Sequence, residues 1–245
     1  MEQGNILGVR VNAVTGERAS ETVIRLSQDG HHFVCAANVH MLMESHDDSG
    51  FRAMVNSASL VVPDGQPLVW ALRKMGLREA ERITGSSLSS MVMNRAQTLR
   101  IPVGFYGAQQ QVLDRLVRMV KKDLPGLTIV YAFSPPFRAL SDEEDQAIVK
   151  DIVRSGVRIL FVGLGCPKQE RWMAAHVAQV PGVMIGVGAV FDFLAGAIPR
   201  APRVLQTMGL EWLFRLILEP RRLWKRYLIE NPRFVFNLYR QLFGF

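Results

Sequence analysis

Asp64 stands in a Pro63-Asp64-Gly65 triplet directly after the apolar run Leu60-Val-Val62. A carboxylate at the end of a buried strand, with a glycine behind it, is well placed to act as a general base. The same position also suits capping of a helix that begins near Pro67, and position alone favours the cap. A second group follows the strand-like run Val157–Val162: Gly163-Leu-Gly165-Cys166-Pro167-Lys168-Gln169-Glu170. Here glycines let the backbone approach a ligand, and Pro167 suits the first turn of a helix. A helix start carries unpaired N–H groups and a positive dipole end, so it attracts phosphate. An ordinary strand-to-helix turn explains these residues equally well. Asn38, Gly107 and the stretch Gly188 to Asp192 also follow strand-like runs.

Several chemistries lose their usual signatures. The dinucleotide pattern G-x-G-x-x-G fails after Gly163 and after Gly186, where Lys168 and Phe191 take the last glycine's place. No Gly-Lys-Ser/Thr occurs, so a P-loop is excluded. His31, His32, His40, His46 and His176 form no i, i+4 histidine pair, and neither Cys35 nor Cys166 has a nearby cysteine. No Asp-x-Asp exists to hold a divalent ion on a diphosphate. No metal and no cofactor is therefore expected, and arginines would have to neutralise a diphosphate.

The elements that must position these residues alternate. Strands are expected at Ile6–Val11, 33–37, 60–62, 103–106, 127–131, 157–162 and 183–187. Helices are expected at 15–28, from Asn38 onward, 48–57, 67–75, 86–99, 109–122, 141–154 and 169–177. Thr15 and Ser141 are the N-caps of two of them, Ser141 opening a capping box with Glu144. Strands alternating with helices of this length predict an α/β fold with a largely parallel, Rossmann-like sheet flanked by helices. Ligands of such sheets sit beyond the carboxyl ends of the strands, where all the candidates above lie.

The chain of 245 residues is 49% hydrophobic and 21% charged, enough for a sizeable core. Two cysteines in apolar or turn settings suit a reducing compartment. No secretory leader and no apolar run of about 18 residues is visible. The net charge of +7 is concentrated from Arg200 onward, where nine basic and three acidic residues leave only +1 for the rest. This gives a core over 1–199 and a helical appendage over 200–245, expected as pieces 202–218, 221–230 and 233–243 cut by Pro220 and Pro232. Asn231-Pro232 reads as an N-cap and first-turn proline. Interleaved aromatic and basic residues, with Trp224, Arg226, Arg233 and Phe234 as anchors, fit an anionic membrane surface better than nucleic acid. The apolar content predicts self-association away from membranes.

The ordered series Pro63-Asp64-Gly65, Arg82-Ile-Thr-Gly85-Ser, Gly163 to Glu170 and Gly186-Val-Gly188-Ala-Val-Phe191-Asp192 resembles the WecG/TagA/CpsF glycosyltransferases. So do the tail segments Pro199-Arg-Ala-Pro202, Gly209-Leu-Glu-Trp212, Arg215-Leu, Glu219-Pro-Arg-Arg222 and Asn231-Pro-Arg233-Phe. The resemblance implies an inverting, metal-independent enzyme on the cytoplasmic face of the bacterial membrane. It would move a sugar from a UDP-sugar to a polyprenyl-diphosphate-linked sugar for teichoic acid, common antigen, capsule or exopolysaccharide. It implies that Asp64 is the base and that Gln169 lines the site. It also implies that tail arginines, here Arg215 and Arg222 with Arg221 beside them, complete it. The donor and acceptor would contact Asn38, Gly65, Gly107, Gly163, Gly165, Lys168, Gln169, Glu170, Gly188 and Asp192. Two departures are Ala36, where many members carry Thr, and Lys225, where a further Arg is common. The rival readings are a membrane-tethered nucleotide-sugar-binding protein without turnover, and a nucleic-acid-binding protein. The transferred sugar is left open among N-acetylmannosamine, its uronic acid and glucose.

Overall fold

The structure, a computed structural model, describes residues 1–197 and 211–244. The expected core–appendage boundary and the start of the expected 202–218 helix lie outside those residues. The chain opens with β1 (Gln3–Ile6) and β2 (Val9–Asn12), an antiparallel pair. The single strand expected over Ile6–Val11 is therefore a hairpin. Its turn residues Leu7 and Gly8 both take positive φ, 51° and 87°, as a tight hairpin turn requires. Asn5 Oδ1 accepts from Gly8 N at 2.8 Å and supports it.

The core then alternates: α1 (Gly16–Gln28), β3 (His31–Ala37), α2 (Val39–Asp47), α3 (Ser49–Asn56), β4 (Leu60–Pro63), α4 (Gln66–Lys74), α5 (Gly85–Leu99), β5 (Val103–Gly107), α6 (Gln110–Asp123), β6 (Ile129–Phe133), α7 (Asp142–Arg154), β7 (Ile159–Gly163), α8 (Lys168–His176), β8 (Gly182–Gly186) and α9 (Val190–Leu194). Side chains of Thr15, Asn38, Asp48, Thr84 and Ser141 cap helices, the last within a complete capping box.

Strands β3 to β8 form one parallel sheet in the order β4-β3-β8-β7-β5-β6. Alternation along each strand feeds two cores. Phe33, Cys35, Leu160 and Val162 join α2, α3, α4, α7, α8 and the hairpin on one face. Val34, Ala36, Ile159 and Phe161 join α1, α5, α6 and α9 on the other. The result is a three-layer α/β/α arrangement, as the rhythm of the sequence predicts.

The tail comprises α10 (Glu211–Leu218), α11 (Pro220–Lys225), a π-helical turn (Arg226–Glu230) and α12 (Asn231–Phe243). Pro232 does not cut it. Asn231 has helical angles, φ −63° and ψ −49°, so it is no N-cap. Proline lacks an N–H and crowds the carbonyl four residues before it. The wider π turn directly ahead accommodates that clash, and the chain stays helical from Pro220 to Phe243. The tail lies against α2, with Phe234 buried in the core beside α2 and the hairpin. Gln241 Oε1 accepts from Leu7 N at 2.8 Å, and Arg233 pairs with Asp47. Among the described residues, no helix is long and apolar enough to cross a membrane.

Candidate active site

The chain leaves β5 toward β6 and leaves β7 in the opposite direction toward β8. In such a sheet, connections that diverge this way mark the crevice position at the carboxyl ends of β5 and β7 where ligands usually bind. Gly107 and Gly163 form its floor. A Cβ on Gly107 would stand 2.4 Å from the Gly163 carbonyl oxygen, and Gly107 has φ +125°. A Cβ on Gly163 would stand 2.6 Å from Phe191. Only glycine fits either position. By contrast, Gly165 has φ +82° and open space where a side chain would project.

Gln169 ties the rim together from below. Its Oε1 accepts from Gly165 N at 3.2 Å and from Gly188 N at 2.9 Å. Its Nε2 donates to Glu170 Oε1 at 2.7 Å. One side chain thus fixes the loop after β7 to the loop after β8. Gln169 is 4% exposed and Glu170 0%. Both were expected to line the site; both are buried, with the Gln169 side-chain amide engaged by Gly165, Gly188 and Glu170. Burial pushes the Glu170 carboxyl above its ordinary range, against the hydrogen bond from Gln169. Lys168, in contrast, is exposed at the start of α8. The phosphate-cradle reading of this turn is narrowed, because Gly165 N is held by Gln169 Oε1 and Gln169 N by Gly165 O at 2.9 Å.

Asp64 follows β4 on the same edge of the sheet. Its N–H donates to Ala37 O at 2.8 Å, and Arg82 Nε donates to its carbonyl at 3.2 Å. The residue is half-buried. The cap position of α4 is Gly65, with no side-chain cap hydrogen bond, so the capping role that position alone favoured is not the one adopted. Asn38 stands beside this turn, its Cα 3.7 Å from where a Gly65 Cβ would be. Its side chain caps α2 by accepting from Met41 N at 3.2 Å. Arg82, part of the Arg82-Ile-Thr-Gly85-Ser motif, is set by the structure against the Asp64 backbone. β4 and β7 are three strand positions apart, so Asp64 and Gly163 are about 14 Å apart along one edge. Asp192, on α9, is half-buried, its carbonyl accepting from Ala197 N at 2.8 Å. Ala36 packs into the α1 and α5 layer.

The tail's expected anchors divide. Phe234 is buried and Arg233 engages Asp47, so these two hold the tail to the core. Arg226 is half-buried and its charge acts on the Cys166 thiol, which places it at the loop after β7. Trp224 remains exposed, with Lys225 Nζ 5.7 Å from its ring centre. Further exposed apolar residues of the tail include Trp212, Leu213, Ile217 and Leu218 of α10 and Leu228, Ile229, Val235, Phe236, Tyr239 and Phe243 beyond it. Arg221 is exposed; Arg215 lies in α10 and Arg222 in α11, and their side chains fall outside the described structure. Sequence spacing gave no hint that His40 on α2 meets Glu230 of the tail at 2.9 Å.

A parallel α/β sheet with a glycine-floored crevice and an aspartate on one edge defines a class of ligand-binding enzyme folds rather than one member. Residues 4–245 match the Glycosyl transferase WecG/TagA/CpsF family, and the chain belongs to that family. It is similar to the N-acetylglucosaminyldiphosphoundecaprenol N-acetyl-beta-D-mannosaminyltransferase of Bacillus spizizenii, with 31% identity over 212 residues, 86% of this chain and 79% of that protein. The chain is accordingly a glycosyltransferase.

Proposed function

We propose that the protein transfers a sugar from a UDP-sugar to a polyprenyl-diphosphate-linked sugar at an anionic membrane surface, on the cytoplasmic side of the bacterial cell membrane. The observation that carries the reading is the shared edge. Gly163 on the crevice floor and Asp64 lie about 14 Å apart, and Gly107 one strand further, on one side of one sheet. An extended nucleotide sugar spans such a distance, with its nucleotide over the crevice and its anomeric carbon toward Asp64. Gly65, Gly165, Lys168, Gly188 and Asp192 border that path, and Asn38 flanks the reacting end.

Asp64 takes the proton from the acceptor hydroxyl as its oxygen bonds to the anomeric carbon. The bond from that carbon to the UDP oxygen breaks on the opposite face, so the configuration inverts. Negative charge grows on the departing diphosphate. Arg82 beside Asp64, and Arg215, Arg221 and Arg222 of the tail, supply cationic donors for it. The tail packs on α2, whose cap Asn38 is part of the rim, which supports its delivering a lipid-linked acceptor there. Its exposed apolar residues would enter the lipid interface with basic residues at the headgroups.

The relative's name specifies N-acetylmannosamine transfer to N-acetylglucosaminyldiphosphoundecaprenol. That pair is the first to assay here. The test is acceptor-dependent UDP release across a donor panel with short-chain lipid acceptors and vesicles. Release from one donor is expected. UDP binding without release from any pair would favour a binding protein instead.

A further inference from the structure

His40 and Glu44 sit four residues apart on α2 and so share one helical face. The π turn of the tail brings Glu230 against that face. His40 Nδ1 is 2.9 Å from Glu230 Oε2 and 4.0 Å from Glu44 Oε1. The three potential ligand atoms lie within 4.8 Å of one another. Zinc bound tetrahedrally at about 2.0–2.1 Å needs ligand atoms about 3.3 Å apart. The observed separations straddle that value, so small rotations of two glutamate side chains close the site. All three residues are half-buried. A neutral imidazole with two carboxylates carries the charge of −2 that matches a divalent cation.

A second observation concerns Glu170. Its carboxyl is fully buried, and its Oε2 has no hydrogen-bond partner among the described residues. His40 lies within electrostatic reach of Glu170, and Glu44 and Arg226 within reach of the adjoining Cys166. Glu44, Glu170 and Glu230 thus share one partly dry region with His40 and Arg226. A simple His40–Glu230 hydrogen bond leaves Glu44 at 4.0 Å from the imidazole. An ion would engage all three ligands at once.

We propose that His40, Glu44 and Glu230 bind a divalent transition-metal ion of the zinc type, which pins the tail helix to α2. The ion has a structural role, and the inference stands apart from the transferase reading. Because two ligands come from the core and one from the tail, only the docked tail offers the complete site. Binding must then favour docking.

The test uses the full chain, stripped of metal and free of any histidine tag, with Zn²⁺ as the probe. Calorimetric titration should show one Zn²⁺ per chain. Limited trypsin digestion should show cleavage at Arg221, Lys225 and Arg226 slowed as the tail is held. At a free Zn²⁺ concentration ten times Kd the slowing should be about tenfold. His40→Ala and Glu230→Gln should each abolish both effects while the core's circular dichroism is unchanged. No saturable uptake, uptake that survives both substitutions, or uptake without tail protection would overturn the proposal.

Discussion

Replacing Gln169 by Met keeps the length and volume of the side chain and removes every hydrogen bond it makes. Three partners are stranded: Gly165 N, Gly188 N and Glu170 Oε1. Removing one partner from a buried polar pair costs about 1–3 kcal/mol. Water can reach the half-buried Gly165 and Gly188, so the lower end applies to those two. Glu170 is fully buried, and burial disfavours its charged form, which limits the third. The sum is about 3 kcal/mol, and urea denaturation should report it as a lower midpoint with unchanged slope. The loops after β7 and β8 would also lose their tie, so KM for the donor should rise more than kcat falls. A midpoint within about 0.5 kcal/mol of wild type, together with an unaltered KM, would show that the glutamine does not organise this rim.

Gly107→Ala places a Cβ 2.4 Å from the Gly163 oxygen at a φ of +125°, so the β5 and β7 ends must separate. It should reduce UDP affinity at least about tenfold, read by calorimetry, if a 1.4 kcal/mol loss follows from misplacing the floor. Burial raises the folded pKa of Glu170 above the ordinary glutamate value of about 4.5. A carboxyl raised in this way leaves stability fully present below about pH 4.5 and erodes it as pH rises through the folded pKa. Urea midpoints from pH 4 to 9 should therefore decline less in Glu170→Gln than in wild type. In the tail, Phe236 and Tyr239 are 62% and 52% exposed, so Phe236→Asp with Tyr239→Asp should weaken vesicle binding. Co-sedimentation with anionic vesicles checks this, and the core's melting temperature should not move.

The parallel sheet was legible because its strands are short apolar runs, such as Val183-Met-Ile-Gly-Val187, separated by helices with recognisable caps. The strand order was not. That Gly107 touches Gly163 depends on β7 inserting between β8 and β5, which no local pattern records. The opening hairpin was missed because Leu7 takes the left-handed conformation that Asn usually signals. Pro232 misled for a physical reason: proline normally ends a helix, but the π turn before it removes the clash. The candidate site offered residue types in the sequence but not their surroundings. Glu170 and Gln169 are polar residues at a strand-to-helix mouth, yet helical phase turns both inward. Phe234 and Arg233 share an amphipathic tail, and only the docked structure shows that they face the core. The pairing of His40 with Glu230 spans 190 residues and has no local trace.

The central claim is that Asp64 removes the acceptor's proton during glycosyl transfer. The direct measurement is acceptor-dependent UDP release by wild type and by Asp64→Asn, on vesicles, with UDP affinity measured in parallel. The account predicts a fall in kcat of about 10²–10⁴ with UDP affinity essentially retained. Wild-type turnover by a folded Asp64→Asn protein would contradict it.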